Sequence, residues 1–192
     1  MADRISTRDR LIDAATSLFA TGGYHAIGVS RILEEAGVSR VGLYHHFRSK
    51  EELILAVLRR RDEVTRNLIM REVEQASHQP AERLLALFAF LERYVGQPDF
   101  TGCMFLNAAA EYHDENHPIH RMATEHKRMM LSFIEKQCGL LGADDPHLLA
   151  HQIYMLFDGA IVQIHAAGDA AKRTEAAREA TAALLGAAVP AQ

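Results

Sequence analysis

The chain has 192 residues, 48% of them apolar and 24% charged, which supplies a buried core for one domain or two small ones. Its apolar runs are short and broken by charge, no apolar block stands at the N-terminus, and its two cysteines, Cys103 and Cys138, have no paired spacing. These features speak against a membrane span, a leader peptide, a disulfide framework and a zinc module, and a cytoplasmic setting is expected. The net charge of -4 is unevenly placed: residues 1–61 carry 10 Lys/Arg against 7 Asp/Glu, so a small basic head precedes a larger acidic body. Clustered positive charge of this kind is the electrostatic footprint of a nucleic-acid reader.

Helical periodicity runs from end to end, with no sustained alternation of β-branched residues, so the fold class expected is all-α with about nine helices. A first helix is expected from Arg4 to Thr21, with Ile5, Leu11, Ile12, Ala15, Leu18 and Phe19 on one face and Gly22-Gly23 as its stop. A short second helix is expected over residues 29–36, then Gly37-Val38-Ser39, then a third over residues 40–47. Ser49 reads as the cap of a fourth helix reaching Ser77, with Glu51 and Glu52 in its first turn, where the helix dipole favours anions. Pro80 opens a fifth, striped by Leu84, Leu87, Phe88, Leu91 and Val95, and "GQPDFTG" breaks the chain after it. "CMFLNAAAEY" is apolar nearly all round and is expected to lie buried in the middle of a bundle. A long helix with Ile119, Met122, His126, Met129, Met130 and Phe133 on one side follows, and a small-residue hairpin over residues 146–166 and 170–188 ends the chain.

The stretch "EEAGVSRVGLYHHFRSKEEL" combines a glycine turn, two aromatics, two histidines and several cations. Two short helices joined by a glycine turn match the helix-turn-helix plan, whose second helix enters the DNA major groove. Ile32, Leu33, Ala36, Val38, Leu43 and Phe47 are placed to lock the pair together, which leaves Arg40, Val41, Tyr44 and His45 facing outward. A cation, a methyl-bearing side chain, a phenol and an imidazole suit phosphate, thymine-methyl and base-edge contacts. Ser39 caps the second of these helices, whose exposed amides also suit a phosphate, and Lys50 is placed for the DNA backbone. The plain alternatives are a packing aromatic for Tyr44 and solvated side chains for the others.

With "LIDAATSLFATGGYHAIGV" ahead of it, "GVSRVGLYHHFRSKEEL" resembles the N-terminal domain of the TetR family of transcriptional regulators. The likeness is close over residues 8–55 and extends further by layout only. It implies a DNA-binding domain at 1–48 and a ligand-binding and dimerisation domain at 49–192. It further implies a homodimer on a pseudo-palindromic double-stranded operator, repression released by a small-molecule effector, and no enzymatic activity or cofactor. The family usually has Thr or Ser where Gly28 stands, a small residue at Val41 and a hydroxyl residue at Gly42, so the operator does not carry over by analogy.

For the effector, Phe88, Leu91, Met104, Asn107, Glu111, His126 and Met130 are the expected lining. Asn107 and Glu111 lie one turn apart on an apolar helix, and His126 and Met130 do so on another. The plain alternative is that these polar groups satisfy one another in the core. For the dimer, Leu156, Ala160 and Ile164 on one helix and Ala177, Ala180 and Leu184 on the next are expected to form a four-helix bundle with a second copy, with Asp158 as a partner contact. Two further readings are open: a redox or electrophile sensor acting through Cys103 at a helix start, and a small-molecule-binding protein or enzyme using His126 with Glu111. His113, His117 and His120, and the pair His147 and His151, raise metal binding, but the spacing defines no complete site and no metal is expected.

Overall fold

The structure is a computed structural model that describes residues 6–97 and 100–188. The described residues are helical and carry no strand: α1 (Thr7–Gly22), α2 (Val29–Ala36), α3 (Arg40–His46), α4 (Lys50–Ala76), α5 (Pro80–Val95), α6 (Met104–Glu111), α7 (Pro118–Leu141), α8 (Pro146–Ala167) and α9 (Ala170–Ala188). Arg4 and Ile5, expected to open the first helix, lie outside the described residues. Within them Ser6 is the N-cap, its hydroxyl accepting the Asp9 N–H at 3.1 Å. Ser49 accepts the Glu52 N–H at 3.1 Å at the head of α4, and Asp145 accepts the Leu148 N–H at 2.9 Å ahead of Pro146 in α8.

Packing divides the chain into two compact units that differ from the expected boundary at 48/49. One joins residues 1–63 to 104–126, and the other joins residues 64–103 to 127–192. In the first unit α1 packs on α2 and α3 around Leu11, Ile12, Phe19, Ile32, Leu43 and Phe47. Leu53, Ile54, Val57 and Leu58 from the first half of α4 are buried too, as are Phe105 and Ala108 from α6. In the second unit α5 packs on α8 and α9, and α8 on α9. Its core runs from Val73 and Phe88 through Met130, Phe133 and Ile134 to Ile153, Phe157 and Leu185.

One expectation fails here. α6 is not buried all round: Met104, Phe105 and Ala108 face inward, but Leu106 and Ala110 are exposed and Asn107 is only half-buried. The helix has 8 residues. Its apolar content reflects alanines on the outer side, which cost little to expose, rather than a second packed face.

Candidate nucleic-acid interface and effector region

The turn between α2 and α3 is built from three pieces. Gly37 takes a left-handed conformation, φ 59°, that a side chain would strain. Its N–H and that of Val38 return to the carbonyls of Glu34 and Leu33. The third piece was not legible in the sequence: the Arg10 guanidinium reaches from α1 and donates to the carbonyls of Ala36 and Gly37 at 2.6 and 2.8 Å. A cation thus satisfies the carbonyl end of α2, where the helix dipole is negative.

This turn sets the direction of α3. Ser39 accepts the Gly42 N–H at 3.1 Å as N-cap, so the hydroxyl serves the helix. Ile32, Ala36, Leu43 and Phe47 are buried and Leu33 and Val38 are half-buried, which leaves the other side of α3 open. Val41 is 81% exposed and Tyr44 48% exposed, unusual for residues of their apolar character. Arg40 and His45 are exposed beside them, Arg40 lying 3.4 Å from the Ser30 hydroxyl of α2. Gly28 starts α2 without a side-chain cap, as its lack of a hydroxyl requires. All the α3 residues expected at DNA therefore share one solvent face. Lys50 stands on α4 and donates to the His25 carbonyl at 3.3 Å. Partial burial lowers its pKa from the ordinary lysine value, against the opposing pull of Glu111.

Glu111, expected in an effector pocket, is committed elsewhere. Its two carboxylate oxygens accept the backbone N–H groups of Tyr24 and His25 at 2.8 and 2.6 Å, in the link between α1 and α2. The same link is held three more ways: the Tyr24 hydroxyl donates to the Met104 carbonyl at 2.9 Å, the His25 Nε2 lies 3.0 Å from the Glu111 carbonyl, and the Tyr112 ring has His25 at 4.6 Å and His117 at 4.7 Å. Burial, with Glu51 and Glu111 nearby, raises the Tyr112 pKa. The α6 helix is thereby clasped to the helix-turn-helix.

His126 is also committed. It is buried, its Nδ1 2.7 Å from the buried Asp62 carboxylate, and its ring stacks on Phe105 at 3.6 Å. It does not form an acid–base pair with Glu111, which faces the α1–α2 link. Met104 is buried, and Phe88, Leu91 and Met130 are buried in the second unit, where Phe88 meets the Phe157 ring edge-on at 6.1 Å. The expected lining thus divides between two cores: Met104, Asn107, Glu111 and His126 in the first, Phe88, Leu91 and Met130 in the second.

The second unit carries the hairpin expected at a dimer interface. Ala160, Ile164 and Ala177 are buried within their own chain, and Leu156, Ala180 and Leu184 are half-buried. What α8 exposes instead is a stripe at seven-residue spacing, Leu148 (55% exposed), Met155 (65%) and Val162, with Gly159 between the last two. Beside it lies an open, mainly apolar groove lined by Met155, Gly159, Val162, Gln163, Arg173 and Ala176. Asp158, expected as a partner contact, forms an ion pair with Lys127 of the same chain.

Neither cysteine forms a disulfide. Cys103 is half-buried near Tyr154, whose pKa is pushed far up by burial first, then by Asp158 and Cys103. Burial, aided by Glu135, pushes the Cys138 thiol up to about 11, which leaves it protonated and unreactive. The histidines are used locally: His120 lies 2.7 Å from the Tyr112 carbonyl and His147 3.1 Å from the Glu135 carboxylate. Among the described residues no three His, Cys, Asp or Glu side chains converge as a metal site, and no helix is long and apolar enough to cross a membrane.

The family model for bacterial regulatory proteins of the TetR family matches residues 11–57, and the model for the tetracyclin repressor-like C-terminal domain matches residues 80–180. A TetR-family transcriptional regulator from Streptomyces coelicolor superposes with a TM-score of 0.89 at 31% identity, over 95% of each chain. The transcriptional regulator AcuR of Cereibacter sphaeroides is 30% identical over 80% of this chain and 74% of its own length. The HTH-type transcriptional regulator YjdC of Escherichia coli is 26% identical over 80% and 81%. With the open face of α3, these similarities place the chain in the TetR family of DNA-binding transcriptional regulators, which are not enzymes.

Proposed function

We propose that the protein is a dimeric repressor that binds a pseudo-palindromic operator and leaves it when a small apolar molecule enters the second unit. Arg40, Val41, Tyr44 and His45 read the major groove, while the α3 start at Ser39 and Lys50 meet phosphates. Two copies join through the α8 stripe, and a two-fold axis turns two heads toward two half-sites about 34 Å or a multiple apart. The effector lodges against Phe88, Leu91 and Met130. It acts by binding one arrangement of the second unit more tightly than the arrangement that fits DNA, because a ligand shifts an equilibrium only by its differential affinity.

The observation that carries this reading is the Leu148–Met155–Val162 stripe. Large apolar side chains stand in solvent at regular spacing beside Ala160, Ile164 and Ala177, which are already buried in their own chain. Such a stripe is stable in water when a second copy covers it. The test is to select genomic fragments with the purified protein and measure binding of the enriched sequence against salt, with sedimentation of the complex. A short inverted repeat, bound by two copies and far more tightly than random DNA, is expected. Uniform weak binding of all fragments, or binding by a single copy, would reject it.

A further inference from the structure

We propose that Gln137 is the polar anchor of the effector site, and that the effector presents an N–H donor and a carbonyl acceptor side by side on an apolar body. The reading rests on the proposed effector site in the second unit. Gln137 stands on α7, on the same face as Met130, Phe133, Ile134 and Cys138, all of them buried in the core of that unit. It is 1% exposed, and among the described residues neither its Nε2 nor its Oε1 finds a hydrogen-bond partner.

A primary amide held among apolar side chains with both ends unanswered is strongly disfavoured. The other buried polar side chains of this unit are answered locally: the Thr174 hydroxyl donates to the Ala170 carbonyl at 2.7 Å and the Thr181 hydroxyl to the Ala177 carbonyl at 2.9 Å. Gln97 shows that a glutamine can do the same, its Nε2 donating to the Arg93 carbonyl at 3.2 Å, whereas Gln137 makes no such bond from either end of its amide among the described residues.

The amide also specifies what answers it. A carboxylate would accept from Nε2 but set negative charge against Oε1, and an ammonium would do the reverse; either would lose its own hydration in this core. The adjoining Cys138 thiol is neutral and offers no counter-charge. A neutral group carrying donor and acceptor on one edge satisfies both atoms at once, and the cis-amide edge of a lactam, a pyridone or a quinolone has that form. A flat apolar ring bearing such an edge also suits a core that contains Phe88, Phe133 and Phe157.

Calorimetry on the full-length protein with 2-quinolone and N-methyl-2-quinolone tests this. The two share ring and carbonyl, but only the first has the N–H. Wild-type protein is expected to bind 2-quinolone about tenfold more tightly, and Gln137→Met, which keeps the length and removes both polar atoms, to bind the two alike. Gln137→Leu is the second variant should the Met side chain pack poorly. Both variants are expected to melt above wild type without ligand, because an unanswered amide has been removed. Equal binding of the two compounds by wild type, as when an interior water answers the amide, overturns the anchor and leaves the effector site standing. Binding of neither compound overturns the apolar effector site and the anchor with it. Melting of both variants below wild type shows an amide satisfied within the chain, and also rejects the proposal.

Discussion

Among single residues, the proposed DNA contacts at Tyr44 and Lys50 are separable by experiment. With Lys50 proposed as a backbone contact, Lys50→Ala is expected to weaken binding to every sequence alike and to lower the slope of log affinity against log salt by about 1. Tyr44→Ala is expected to cost about 1–3 kcal/mol on the operator alone. Salt titrations on operator and random duplexes separate the two, and a Tyr44 variant that weakens both equally would make it a backbone contact. The exposure of Val41 and Tyr44 was legible because the glycine turn and the buried residues around it fix the phase of a short helix. The role of Glu111 was not. Its partners, Tyr24 and His25, lie 87 and 86 positions away, and no local pattern distinguishes a carboxylate facing backbone amides from one facing a ligand. In Glu111→Gln one carboxylate oxygen becomes an N–H2 group set against a backbone N–H. The expected loss is about 1–3 kcal/mol, read from the urea midpoint, and no change in the midpoint would mean that the clasp is not needed.

At the level of elements, sequence periodicity located the helices well, since caps and stops at Ser49, Pro80 and Gly37 are local chemistry. It misplaced what α6 faces and did not pair His126 with Asp62. Asp62 and His126, 64 positions apart, meet only because the first parts of α4 and α7, to Glu63 and His126, lie in the same unit. α6 read as a doubly buried helix because alanine counts as apolar on either side. The turn between α2 and α3 provides the sharpest test of an element: a Cβ at Gly37 would lie 2.9 Å from the Arg10 Nη2 on a backbone already left-handed. Gly37→Ala is expected to cost about 1–2 kcal/mol. Loss of operator binding at a temperature where the rest of the helical signal is kept would be seen by circular dichroism with parallel gel shift. Undiminished binding would show that the turn tolerates the strain.

For the whole molecule, the proposed dimer rests on the hairpin that the chain shows to solvent. Met155→Asp sets a charge in the middle of the α8 stripe and leaves the chain's own core untouched, since Met155 is exposed. It is expected to halve the sedimenting mass and to lower operator affinity at least tenfold, because one head then binds without its twin. An unchanged mass would move the interface elsewhere. The clasp between α6 and the α1–α2 link has a further consequence, for the order in which the chain is made. Tyr24 leaves the ribosome 87 residues ahead of Glu111, a delay of roughly 4 to 17 s at about 5–20 residues per second. Through that interval the N–H groups of Tyr24 and His25 face water instead of the Glu111 carboxylate, so the α1–α2 link of a nascent chain takes its finished form only once α6 has been made.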